Sequence, residues 1–94
     1  MLYSETETAE QNLSEISRKF PGNALELRVP GAGVINILQG VNHRRGNPAN
    51  VVEIELIFFN KLCERKAKFN EGIQSGAIRA SGALSDIAFI FENL

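Results

Sequence analysis

The 94-residue sequence has few of the residues that build covalent or metal sites: one cysteine, one histidine and no tryptophan. A single cysteine, Cys63, cannot form an internal disulfide and fits a reducing compartment. Cys63 and His43 together are too few ligands for a structural zinc site. No glycine-rich loop ends in Lys-Ser or Lys-Thr, and the Gly-Ala-Gly at residues 31–33 lacks the spacing of a dinucleotide-binding motif. We therefore expect neither a metal nor a cofactor.

A large charge of one sign and long apolar runs are also missing. The formal net charge is −1 at pH 7, whereas a protein that binds a nucleic-acid backbone needs a clear cationic excess. No apolar run approaches the roughly 18 residues of a membrane span, and the start, MLYSETETAEQ, is acidic and polar, unlike a secretory signal. We expect one soluble, cytoplasmic domain over residues 1–94, without nucleic acid and without stable membrane insertion.

The first half of the sequence predicts a helix followed by three strands. Ser4 and Glu7 fit a capping box, and an apolar stripe predicts a helix from about residue 5 to 19. The stripe consists of Ala9, Leu13, Ile16 and Phe20. Pro21-Gly22-Asn23 is expected to end this helix in a turn. Alternating apolar residues then predict strands over residues 24–30, 33–40 and 50–55.

The second half changes to helical spacing. The pattern predicts helices over residues 56–66, 68–76 and 84–94, with a short strand over residues 77–81. Ser81 or Ser85 is the expected cap of the last helix. The order αβββααβα indicates an α+β fold, a small mostly antiparallel sheet flanked by helices. The fourth strand either joins the edge of the sheet or lies beside the first strand.

Two helices carry more apolar residues than one buried face can hold. Phe58 and Phe59 are adjacent and cannot share a helical face, and Phe89 lies beside the stripe of the last helix. The surplus indicates either a ligand cavity or a dimer face, although each phenylalanine would also serve in an ordinary core.

The stretch HRRGNPANVVEIE at residues 43–55 combines cations with a turn. His43, Arg44 and Arg45 could receive an acidic head group, or pair with Glu53 and Glu55 just downstream. RNA binding is a weaker alternative, because no aromatic platform is interleaved with the cations.

Nothing in the sequence favours catalysis. Ser81 lacks the Gly-x-Ser-x-Gly elbow, and a lone histidine has no placed nucleophile to activate. Cys63 lies near the end of an amphipathic helix and is expected to act as a small hydrophobic residue. We expect a protein that is not an enzyme.

Two motifs resemble the small bacterial members of the sterol-carrier-protein family. The first, His-x-Arg-Gly-x-Pro-x-Asn-Val-Val-Glu, falls on His43, Arg45, Gly46, Pro48, Asn50, Val51, Val52 and Glu53. The second, around the fourth strand, falls on Gly76, Ile78, Ala80, Ser81 and Gly82. The resemblance covers about residues 25–88 and departs from the family at Arg65, where relatives often have glycine. A left-handed backbone conformation there would strain an arginine.

The resemblance implies an apolar tunnel between sheet and helices that carries a lipid or acyl chain without catalysis. The movable wall would be the helices at residues 56–63 and 84–94, and Arg45 or Arg79 would meet the polar end of the ligand. The candidate ligand-binding residues are Ile35, Ile37, Val52, Ile54, Phe59, Phe69, Ile78, Ile87, Phe91 and Arg45. The alternative is a protein-interaction module or homodimer of the same fold that holds no ligand.

Overall fold

The computed structural model describes residues 4–40 and 50–94, which form four helices and four strands. The elements are α1 (Glu5–Lys19), β1 (Pro21–Val29), β2 (Gly33–Ile37), β3 (Val51–Ile54), α2 (Leu56–Cys63), α3 (Phe69–Ser75), β4 (Ile78–Ser81) and α4 (Ala88–Glu92). The order confirms the predicted αβββααβα sequence of elements. The loop with His43, Arg44 and Arg45 lies outside the described residues.

The four strands form one sheet in the order β2-β1-β3-β4. β1 pairs with β2 and β3 with β4 in antiparallel fashion, whereas β1 and β3 run parallel in the centre. The sheet is therefore mostly antiparallel, as predicted. β4 takes the edge position beside β3, which decides between the two places that the sequence left open.

One face of the sheet carries the core. Leu25, Leu27 and Val29 of β1 are buried, whereas Glu26 and Arg28 between them are half-buried. This alternation places every second side chain on the inner face. Each of the four helices contributes buried residues to the same core cluster. These residues are Ala9, Leu13, Ile16, Phe59, Leu62, Phe69, Ile90 and Phe91.

The start of α1 confirms the predicted capping box. The Glu7 amide donates to the Ser4 hydroxyl oxygen at 3.1 Å, and the Ser4 amide donates to the Glu7 carboxylate at 3.1 Å. Two backbone donors that the first helical turn leaves without partners are thereby satisfied. The predicted helix over residues 5–19 is confirmed at both ends.

Three predicted boundaries were wrong. β1 already begins at Pro21, because Pro21 and Leu25 both pair with Ile37 around an irregularity that absorbs the expected turn. β2 ends at Ile37, since the following Leu38 has a left-handed backbone with φ of 69°. α2 stops at Cys63 instead of residue 66, because Arg65 is also left-handed, with φ of 63°. Arg65 thus has the left-handed conformation that strains an arginine.

The last helix was predicted too long. α4 spans only Ala88–Glu92, and Leu84 is 45% exposed instead of lying on a buried stripe. The predicted serine cap was also wrong: the Ser85 hydroxyl donates to the Gly82 carbonyl at 2.7 Å within a turn. The Asp86 carboxylate accepts from the Ala88 amide at 3.3 Å instead.

Asn50 holds three segments together at the entrance to β3. Its side-chain amide donates to the Ala24 carbonyl at 2.9 Å, and its side-chain oxygen accepts from the Leu84 amide at 2.8 Å. Its own carbonyl accepts from the Glu26 amide at 3.0 Å. Asn50 is only 6% exposed, so these bonds satisfy polar groups that water cannot reach freely.

Replacing Gly72 by alanine should destabilise the fold. A Cβ atom there would lie 2.5 Å from Ile78 Cδ1 and 2.6 Å from Phe58 Cε2, and Ile78 is buried. Alanine improves helix propensity by about 1 kcal/mol, but overpacking costs about 1–3 kcal/mol. We expect the free energy of unfolding to fall by about 1 kcal/mol in urea titration. The exposed Gln74→Ala in the same helix should change it by less than about 0.5 kcal/mol, and a G72A variant that gains stability would contradict the packing.

Cys63 should be unreactive in the folded protein. Burial, and secondarily the nearby Glu64 carboxylate, raises the pKa of Cys63 to about 12, whereas an unfolded thiol ionises near about 8.5. The thiol therefore stays protonated when folded, and the stability that it contributes is lost as pH rises from about 9 towards that value. At pH 8.5 we expect alkylation by iodoacetamide, followed by mass spectrometry, to be at least about tenfold slower than in the urea-unfolded chain. Equal rates in the two states would show that the thiol is accessible and ionised.

Candidate functional site

A groove runs along the surface between α3 and α4. It has a volume of about 800 Å³, within the range of about 300–1,000 Å³ that is usual for small-molecule sites. We call it the α3–α4 groove. It is lined by Leu62, Arg65, Ala67, Lys68, Phe69, Asn70, Ile73, Gln74, Ala80, Ser85, Asp86, Ala88, Phe91 and Glu92.

The floor of the α3–α4 groove is aromatic and buried. The ring of Phe91 stacks on that of Phe69, with 6.3 Å between centroids and 24° between planes. Phe91 also meets Phe59 edge to face at 6.0 Å. Leu62 and Phe69 are 1% and 8% exposed, so these floor residues belong to the core as well as to the groove.

The walls combine small apolar residues with a polar rim. Ala67, Ala80, Ala88 and the 43%-exposed Ile73 present apolar surface to the groove. The exposed rim carries two cations, two carboxylates and two side-chain amides. These residues are Arg65, Lys68, Asp86, Glu92, Asn70 and Gln74. The groove thus offers a mainly apolar interior with polar partners at its edge, an arrangement typical of sites for amphiphilic ligands.

The turn from α2 to α3 places the cations on the rim. The Glu64 amide donates to the Asn60 carbonyl at 3.0 Å, and the left-handed Arg65 then redirects the chain. The Lys66 amide donates back to the Lys61 carbonyl at 2.8 Å, which closes the end of α2. α3 begins directly after Lys68, whose amide donates to the Glu71 carboxylate at 2.8 Å.

One side-chain bond joins the two walls of the groove. The Arg65 guanidinium donates from Nη2 to the Glu92 carbonyl at 2.8 Å, across 27 residues of sequence. A cation at the C-terminus of a helix also interacts favourably with the helix dipole. The end of α4 is thereby connected to the turn that precedes α3.

Only two of the candidate ligand-binding residues line the α3–α4 groove, namely Phe69 and Phe91. Ile35 lies in a separate depression of about 500 Å³ between α1 and β2. Six others are packed into the core at 0–3% exposure: Ile37, Val52, Ile54, Phe59, Ile78 and Ile87. Arg45 lies outside the described residues, and Arg79 lies in a third depression, of about 210 Å³, with Glu53 and Glu55.

The residues that sequence reasoning missed are those on the walls. Ile73 follows Phe69 by four residues, the spacing of one helical face, but it is 43% exposed and lies on the wall of the groove. Ala67, Ala80 and Ala88 gave no signal, since small residues do not distinguish a groove from a tight contact. Arg65 did give a signal, the non-glycine residue at a turn that required a left-handed backbone.

Over residues 4–40 and 50–94, no group of three or more His, Cys, Asp or Glu side chains could hold a metal ion. In the same residues no helix is long and apolar enough to cross a membrane.

Comparison with solved structures supports the fold. Sterol carrier protein 2 like 2 from Aedes aegypti is similar over 97% of this chain and 100% of its own, with 14% identity and a TM-score of 0.58. Sterol carrier protein 2 from Yarrowia lipolytica, in its apo form, aligns over 87% of this chain and 79% of its own, with 18% identity and a TM-score of 0.42. A search of curated proteins finds no match.

Comparison with family models gives the assignment. The model of the family described as "Bacterial SCP ortholog", where SCP denotes sterol carrier protein, matches residues 4–91. The match confirms the predicted family and extends it to α1, which the two sequence motifs did not reach. The chain belongs to the family of bacterial SCP orthologs.

Proposed function

We propose that this protein binds an apolar or amphiphilic ligand, such as a lipid acyl chain, non-covalently in the α3–α4 groove. The observation that carries the proposal is a groove of about 800 Å³ whose floor is Leu62, Phe69 and Phe91. Removing an acyl chain from water stabilises the complex by about 0.8 kcal/mol per buried methylene, without directional bonds. Such a floor binds through shape and apolar area alone.

The polar rim supports an amphiphilic ligand over a purely apolar one. Arg65 and Lys68 can donate to an acidic head group, while Asn70 and Gln74 can bond to neutral polar groups. Membership of the bacterial SCP family is consistent with a carried apolar ligand. The proposal places the protein in the cytoplasm, which its single cysteine supports.

The proposed activity is carriage without chemistry. The Ser85 hydroxyl, which lies in the lining, donates a hydrogen bond to the Gly82 carbonyl. Asp86 caps the Ala88 amide. Both groups thus have structural partners, which supports binding over catalysis.

The competing function is a protein-interaction module or homodimer without a ligand. It would use the exposed apolar side chains outside the α3–α4 groove: Val34, Ile57, Leu84 and Phe89, which are 58%, 56%, 45% and 44% exposed. Monomeric proteins normally expose such residues singly. Their exposure therefore supports an interface only if a partner covers them. Light scattering after size-exclusion chromatography gives the molecular mass in solution, which distinguishes a monomer from a dimer.

The variant Ile73→Asp should weaken ligand uptake without unfolding the protein. Ile73 is exposed and lines the α3–α4 groove, so a carboxylate there places a charge against the bound acyl chain. We expect the dissociation constant of a fluorescent fatty acid, measured by titration, to rise about tenfold or more, while the melting temperature changes little.

The matched control is Ile57→Asp, which changes an isoleucine of similar exposure on α2 outside the groove. It should bind the fatty acid as the unchanged protein does. An equal rise of the dissociation constant in both variants would show that the fatty acid does not bind in the α3–α4 groove. An unchanged protein that takes up no fatty acid and has the mass of a dimer would favour the interaction module.

A further inference from the structure

Helix α4 is a wall of the α3–α4 groove that is attached weakly at its ends. It has five residues, and its first turn has no side-chain cap from its N-cap residue, Ile87. The helix dipole and cooperative hydrogen bonding contribute little over so short a length. α4 is held mainly by two buried side chains, Ile90 and Phe91.

Arg65 supplies the polar attachment of α4. Within residues 4–40 and 50–94, its bond to the Glu92 carbonyl is the one side-chain hydrogen bond that links α4 to an element outside residues 82–94. Arg65 and Glu92 both line the α3–α4 groove. The bond therefore connects two residues of the rim, one before α3 and one at the end of α4.

The backbone of Arg65 is strained where this bond forms. Its φ of 63° is left-handed, a conformation that glycine adopts freely but an L-residue with a Cβ avoids. Strained backbone persists where the surrounding structure holds it, and it is often found at sites of function. Glycine at this position would satisfy the turn but could not reach α4.

Phe91 makes the opening of the groove towards the core depend on the position of α4. It moves with α4, and it packs against both Phe69 and the fully buried Phe59. If α4 lifts, Phe91 leaves this stack and the floor of the groove opens towards Phe59. Closed and open positions of α4 would therefore differ in how much apolar surface the groove offers.

We propose that α4 is a lid over the α3–α4 groove and that the Arg65 guanidinium is the latch that holds it closed, so that Arg65 sets the rate of ligand release. This rests on the proposed function, because the groove must take up a ligand for release to matter. The latch acts on the opening of α4 in the empty protein as well. Loss of the latch should therefore speed release and local opening together.

The test compares Arg65→Gly with Lys66→Gly. R65G removes the guanidinium and relieves the backbone strain, whereas K66G removes a neighbouring cation of the same turn whose ion pair is with Glu64, at 3.5 Å. Release of a fluorescent fatty acid into excess phosphatidylcholine vesicles is followed by stopped flow. Hydrogen exchange of the amides at residues 90–93 is measured on the ligand-free proteins.

We expect R65G to release the fatty acid about threefold to tenfold faster, the change that follows from losing one solvent-exposed hydrogen bond of ordinary strength. Its residues 90–93 should exchange faster by a similar factor, with an equal or higher melting temperature because the strain is relieved. K66G should match the unchanged protein in both measurements. R65Q, which keeps the strained backbone but shortens the side chain, should match R65G in ligand release and in hydrogen exchange, without its relief of strain.

Unchanged exchange at residues 90–93 in both R65G and R65Q would overturn the latch. Unchanged release from a protein that binds the fatty acid would do the same. A protein that takes up no fatty acid would instead contradict the proposed function, and hydrogen exchange on the empty protein would still decide whether Arg65 holds α4.

Discussion

The parallel pairing of β1 with β3 in the middle of the sheet determines where the remaining elements lie. β2 occupies the free side of β1, and β4 the free side of β3. The chain must then travel from β3 to an antiparallel neighbour through α2 and α3, and both helices contribute side chains to the single core. Asn50 reinforces the central pair, since it bonds to β1 and to the segment before α4. The α3–α4 groove consequently lies over β4, at the edge where the sheet ends.

Close packing at this edge keeps the groove shallow. Gly72 allows α3 to approach Ile78 of β4 and Phe58 of α2 so nearly that a Cβ atom has no room. Phe59, Phe69 and Phe91 fill the space between helices and sheet with ring-to-ring contacts. A chain of this size buries a limited fraction of its surface, so apolar residues that fill the core are unavailable to line an internal tunnel. The α3–α4 groove, with its apolar floor, therefore opens at the surface.

The sequence predicted the type and order of the elements better than their boundaries. It also predicted which side chains are buried better than which ones line a cavity. The sequence pattern predicted all eight elements, and the apolar period was clearest in α1 and β1, which bury one regular face. The start of α4 could not be predicted, since Ile87 is buried just before the helix and continues the helical spacing backwards. Val52, Ile54 and Ile78, which were predicted to bind the ligand, are buried in the core, and a buried position does not distinguish a cavity wall from a filled core. That difference depends on the distance between α3 and α4, which no local pattern contains.

The floor of the groove links ligand binding to stability. Phe69 and Phe91 line the groove and belong to the core cluster, so any change there alters both properties at once. Rim and wall residues such as Ile73, Lys68 and Arg65 are exposed, so changes there can alter the proposed ligand binding without altering stability. The arginine at the left-handed turn of this chain is such a rim residue, because its side chain reaches α4 while its backbone only has to complete the turn.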